Sequence, residues 1–120
     1  MGEDLKIRTK RFAVDCWKFC TGISVSGHGE IWVRQLIKCS ASVGANYRAA
    51  RRAKSTADFI NKLKIVEEET DESIYWVELI GEVLGPSNKE IRVLIKEGNE
   101  LLAIIVTSIK TARNNRLNQY

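Results

Sequence analysis

Arg34, Lys38, Arg48 and Arg52 are the residues whose types and spacing point most directly to chemistry. On a helix turning about 100° per residue they fall within about 80° of one another. Cations from successive turns then form a stripe about 27 Å long. Ala41 and Ala45 share those angles, so long cations flank a shallow middle that a phosphate backbone can approach. Arg51 and Lys54 carry the charge into the following turn, and Lys62 and Lys64 carry it onto the next helix. Such a stripe suits sequence-tolerant contact with RNA or DNA phosphates, with affinity that falls as salt rises. A solvated helix face, or salt bridges to acidic helices of a neighbouring subunit, would use the same residues differently.

The distribution of charge supports a polyanionic partner more than the total does. The 120 residues carry a formal net charge of +4. Residues 34 to 64 hold eight Lys or Arg against Asp58 alone, giving +7, whereas residues 67 to 100 hold ten Asp or Glu against three basic residues, giving −7. That contrast speaks to partners rather than to fold.

Other constellations are weaker. Glu67, Glu68, Glu69, Asp71 and Glu72 suggest a carboxylate-bridged metal site, but such sites in helix bundles need Glu-x-x-His pairs on two helices, and His28 is the single histidine. Glu68 and Glu72 read as surface charges, and Glu69 as a flank residue pairing with an Arg or Lys across a helix interface. Cys16, Cys20 and Cys39 with His28 lack a spacing that specifies zinc. Cys16 and Cys39 fall on core stripes, where cysteine behaves as a small hydrophobe. An odd cysteine count, with Cys16 and Cys20 one turn apart, predicts reduced thiols and a cytoplasmic protein. The sequence has no glycine-rich phosphate loop, Ser/His/Asp set or suitably ordered Cys/His pair, so the expectation is a non-enzymatic protein without cofactor or metal. It also lacks an uninterrupted apolar run of about 18 residues, and its charged start does not read as a secretory signal.

The elements that must position these residues read as four amphipathic helices in one domain spanning 1–120. The first covers about residues 4–20, with Leu5, Phe12, Cys16 and Phe19 on one face. A glycine- and serine-rich loop follows over 21–29. The second covers about 30–53, with Trp32, Leu36, Cys39, Val43, Asn46 and Ala50 as its apolar stripe, and Gly44 inside it implies a packing reason. Ser55 and Asp58 form a capping box for the third. Its seam of Phe59, Leu63, Val66, Thr70, Ser73, Val77, Ile80 and Leu84 is the strongest periodic signal in the chain. Gly85 and Pro86 stop it, Ser87 and Glu90 cap the fourth, and Ile91, Leu94, Gly98, Leu101, Ile105, Ser108 and Ala112 supply the last stripe. The polar tail from Asn114 is expected to fray. Asn46, Thr70 and Ser73 place polar atoms in the core, and mutual hydrogen bonds between helices are the expected solution. The fold class is all-α, an antiparallel up-down-up-down four-helix bundle. Ile74, Tyr75 and Trp76 bring apolar surface to the outer side of the third helix, which predicts burial against another chain.

Several segments together carry a family likeness. Gln35–Leu36, the run Ser42, Val43, Gly44, Ala45, Asn46, Tyr47 and Arg48, then Ser55, Asp58, Phe59, Lys62 and Leu63, then Glu68, Glu69, Asp71, Glu72, Tyr75 and Trp76 resemble the bacterial four-helix-bundle proteins first met in 23S ribosomal RNA intervening sequences. Leu5, Lys6, Arg8, Thr9, Lys10, Phe12 and Ala13 are similar to that family's first helix. Glu97, Glu100, Leu101 and the Ser108 to Arg113 segment are similar to its last. The resemblance implies a ring of five subunits, which would carry a net charge of +20. A related branch accompanies diversity-generating retroelements as a basic ring engaging RNA and a reverse transcriptase. Arg34 and Cys39 depart from that pattern, where relatives often have Asn and Ser or Gly. The implied reading is a homopentamer that binds RNA or DNA through Arg34, Lys38, Arg48, Arg51, Arg52 and Lys54, with subunit contacts at Ile74, Tyr75 and Trp76. A protein-binding scaffold whose acidic third and fourth helices recruit a basic partner is the competing reading.

Overall fold

The computed structural model describes residues 2–23, 27–84 and 89–118. Four α-helices account for most of them: α1 (Gly2–Thr21), α2 (Gly29–Arg51), α3 (Thr56–Leu84) and α4 (Lys89–Asn118). The body measures 54 × 22 × 21 Å. A helix of 29 residues such as α3 is about 43 Å long, so it can lie only along the long axis.

Local chemistry explains the ends. Gly27 takes a φ of +69°, a conformation that costs a residue without Cβ little, and leads the chain into α2. The last turn of α2 tightens as the Arg52 and Ala53 N–H groups donate to the Ala49 and Ala50 carbonyls, each at 3.1 Å. At the start of α3, Ser55 Oγ accepts the Asp58 N–H at 3.1 Å. The return bond of this capping box reaches one residue further back, where Asp58 Oδ2 accepts the Lys54 N–H at 3.0 Å. The expected stop and cap at Gly85, Pro86 and Ser87 lie outside the described residues.

Neighbouring helices meet through specific pairs. Along α1 and α2, Cys20 Sγ approaches the Val33 carbonyl while Gly44 faces Thr9. A Cβ on Gly44 would sit 3.3 Å from Thr9 Oγ1, so the glycine admits close approach of the two backbones. Along α3 and α4, Gly81 faces Ile91 and Ile74 faces Gly98. The α2–α3 seam is the most extensive and the α1–α4 seam the slightest. Across the latter, Arg8 Nε and Nη2 donate to Glu97 Oε2 and Oε1 at 3.1 and 2.6 Å, with Glu100 Oε1 3.7 Å away. Between the seams lies one core, in which Phe12, Cys16, Leu36, Val43, Leu63, Val66, Val77, Ile80, Leu101 and Ile105 are closed to solvent.

The structure corrects several expectations. Tyr47, not Asn46, continues the core stripe of α2. Asn46 turns its amide to the Ser42 carbonyl and hydroxyl at 2.8 and 3.2 Å, a local partner that lets the bulkier ring take the interior. Ile109 is buried where Ser108 was expected, and the Ser108 hydroxyl donates to the Ile104 carbonyl at 2.9 Å. The buried hydroxyls of Thr70 and Ser73 likewise donate to carbonyls four residues back, at 2.6 and 2.7 Å, instead of to each other. Among the described residues their one cross-helix hydrogen bond is from Ser73 Oγ to Cys39 Sγ, at 3.2 Å. Helix α2 ends at Arg51 rather than near 53, and α4 stays helical through Asn118 where fraying was expected.

Candidate nucleic-acid interface

All six cations singled out from the sequence, Arg34, Lys38, Arg48, Arg51, Arg52 and Lys54, lie on the surface. The first four stand on α2, Arg52 caps it and Lys54 occupies the short connection to α3. Their placement follows from α2 itself: once Leu36, Cys39, Val43, Tyr47 and Ala50 turn inward, the opposite face must carry the cations. Ala41 and Ala45 are exposed between the two groups. Among the described residues none of the six forms an ion pair, since the only such pairs are Arg8 with Glu97 and Glu100 and Lys62 with Asp58.

The extension onto α3 is smaller than expected. Lys62 Nζ is engaged by Asp58 Oδ2 at 2.7 Å and serves the start of the helix, whereas Lys64 is exposed. That pair, followed by the Lys54 N–H, holds the Asp58 carboxyl below its ordinary value. Glu69 makes no ion pair among the described residues. Burial pushes its carboxyl up, Glu72 adds to the rise, and nearby Lys38 opposes it.

Lys6 is a cation beside this surface that sequence reasoning missed. It is half-buried on α1 and joins Arg48, Ala49, Arg51 and Arg52 around a cleft of about 250 Å³. No local signal on α1 indicates this. The pairing of Thr9 with Gly44 brings the start of α1 beside the end of α2.

The expected subunit-contact residues separate. Tyr75 is 55% exposed and Trp76 half-buried, their rings meeting edge to face at 5.3 Å. Tyr75 borders a groove of about 330 Å³ with Glu78, Leu79, Glu82, Ile91 and Ile95. Ile74 is instead buried at 6% exposure, because Gly98 leaves a hollow on α4 that the isoleucine fills. Its placement at the outer surface is therefore corrected. A second exposed apolar set, unmarked in the sequence reading, runs along α1 as Ile7, Val14 and Trp17.

Cys16, Cys20 and Cys39 are buried and free. Among the described residues, no group of three His, Cys, Asp or Glu side chains is placed to hold a metal ion. No described helix is long and apolar enough to cross a membrane.

The profile of the 23S rRNA-intervening sequence protein family matches residues 4–107. The chain belongs to that family. The intervening-sequence fold is also found in a solved structure from Bacteroides thetaiotaomicron, a protein of unknown function from the S23 ribosomal protein family. That structure superposes with a TM-score of 0.78 at 29% identity, over 88% of this chain and 98% of the other. Comparison with curated proteins found no match.

Proposed function

We propose that this intervening-sequence family protein is a non-enzymatic, homo-oligomeric bundle that binds nucleic acid, RNA in the first instance, through the basic face of α2. The observation that carries the reading is that six clustered cations stand in solvent with no ion pair among the described residues. Cations open to solvent on one face add to the local positive field and are available to neutralise phosphates. The helices run up, down, up and down, a reading supported by the order in which residues of α1 and α2, and of α3 and α4, face one another. Five copies form a ring, with Tyr75 and Trp76 at the subunit contact and Ile74 supporting them from within. The ring multiplies the positive field and works in the cytoplasm as an accessory to a larger RNA-handling partner, a reverse transcriptase being one candidate.

The test replaces Arg48, Arg51 and Arg52 with Gln and measures RNA binding across a salt series, with helicity and light scattering as controls. The expected result is weaker binding and a shallower salt slope at unchanged helicity. An unaltered binding isotherm ends the proposal. The competing scaffold reading draws support from the Tyr75 groove, whose Glu78 and Glu82 suit a basic protein partner. It predicts a partner captured after nuclease treatment and lost on charge reversal at Glu68 and Glu72.

A further inference from the structure

The basic face is not uniform along its length. Arg34 and Lys38 stand in a row on one helix, but at the other end Lys6 of α1 and Arg48, Arg51 and Arg52 of α2 border one cleft of about 250 Å³. A single helix can set cations in a line, whereas cations lining a concavity from two sides require two elements. Arg48 and Arg51 in the last turn of α2 are also favourable against the exposed carbonyls there. That account does not extend to Lys6, which belongs to another helix. Its partner across the cleft is set by the close approach of α1 and α2 at Thr9 and Gly44. Ala49 is the remaining described lining residue, so no described carboxylate shares the cleft.

Size and charge together select a ligand. The cleft is smaller than the roughly 300–1,000 Å³ of pockets that enclose whole small molecules, so it suits a compact group rather than a base and sugar. We propose that it binds a phosphate monoester, the terminal phosphate of a nucleic-acid strand, in preference to internal phosphodiesters. The inference rests on the nucleic-acid reading above and names the chemical group taken at one end of that surface. A monoester offers three free oxygens and a charge of about −1.5 to −2 near neutral pH. An internal phosphodiester offers two oxygens and a single charge, and both of its ester arms must leave the site. Guanidinium groups bind such oxygens in pairs, and several of them around one concavity favour the more highly charged group. The flat row at Arg34 and Lys38 has no such preference.

The experiment compares one internally labelled single-stranded RNA carrying a 5′-phosphate, a 3′-phosphate or hydroxyls at both ends. The 120-residue chain should bind one or both phosphorylated forms about tenfold more tightly than the hydroxyl form. The advantage should fade below about pH 6, as the monoester dianion takes up a proton and becomes a monoanion. Lys6→Gln should erase the advantage, so that with this variant the phosphorylated forms bind no more tightly than the hydroxyl-ended RNA. Arg34→Gln should weaken all three forms alike and keep the advantage. Inorganic phosphate as competitor separates the two sources of the group: displacement only at concentrations far above that of the strand supports the strand end as ligand. Displacement at matched concentration identifies free phosphate and overturns the proposal. Equal, salt-sensitive binding of all three RNAs, or an advantage that survives Lys6→Gln, also overturns it while leaving the nucleic-acid reading intact. Failure to bind any RNA removes both.

Discussion

Ile74 of α3 occupies the space that a side chain on Gly98 of α4 would need: a Cβ at Gly98 would lie 2.6 Å from Ile74 Cγ1 and 3.6 Å from Phe12 Cζ. Three helices therefore converge on one glycine, and the absence of a side chain there lets α4 seat against both α1 and α3. Gly98→Ala should destabilise the bundle by about 1–3 kcal/mol through overpacking, reduced by the roughly 1 kcal/mol that Ala gains in a helix. Thermal denaturation measures the net loss, and adding Ile74→Val should recover part of it. A variant more stable than the parent would contradict this packing.

The Arg8–Glu97 pair bridges the slightest seam of the bundle, with side-chain exposures of 23% and 30%. Partial burial and two hydrogen bonds place its contribution near the upper end for such pairs, about 1 kcal/mol. Glu97→Gln should lower the denaturation midpoint accordingly and make the remaining stability less sensitive to salt. Hydrogen exchange should show the loss chiefly in α1 and α4, and a uniform loss across all four helices would argue against a local role.

Asp58 links stability to acid pH. Its folded carboxyl is held below the ordinary value of 3.8, first by Lys62 and then by the Lys54 N–H. A depressed carboxylate contributes stability above its unfolded pKa and loses it as pH falls through the folded one. The start of α3 should therefore open below about pH 4, before the core does. Amide signals of residues 54–60 followed by NMR provide the measurement, and Asp58→Asn should abolish their pH response.

Glu69 behaves in the opposite sense. Burial, then Glu72, raises its carboxyl, and Lys38 restrains the rise. The charged form is disfavoured by folding, so its cost is present above the folded pKa and disappears as pH falls below the unfolded one. Lys38→Gln should move the Glu69 NMR titration midpoint upward. A polyanion bound beside Lys38 should do the same, so the midpoint also reports whether nucleic acid occupies this end of the stripe.

Burial pushes the Cys16 thiol up to about 12 and those of Cys20 and Cys39 up to about 11. Thiolate is the reactive form, so all three should resist a thiol reagent at mildly alkaline pH in the native protein and react together on unfolding. Rapid modification of any one in the folded state would show that its segment opens locally.

Much of this protein was determined locally. The repeat of apolar residues at threes and fours sets which segments are helical and which face of α2 carries Arg34, Lys38 and Arg48, because a helix's own geometry decides which residues share a side. Ser55 and Asp58 mark a helix start for the same reason: their partners lie within four residues. Family membership, carried by residues spread from Leu5 to Arg113, was legible too.

Tertiary structure decided what depends on how one helix rotates against another. Nothing near Lys6 in the sequence tells of Arg48, Arg51 and Arg52; their common cleft follows from the register that Thr9 and Gly44 impose. Ile74 and Tyr75 are adjacent in the chain, yet the hollow over Gly98 draws one inward and leaves the other in solvent. The same holds for Asn46 and Tyr47, and for Arg8 and Glu97, which lie 89 residues apart. Periodicity defines an apolar arc only to within about one residue on either side, and the shape of the facing helix chooses among the residues at its edge.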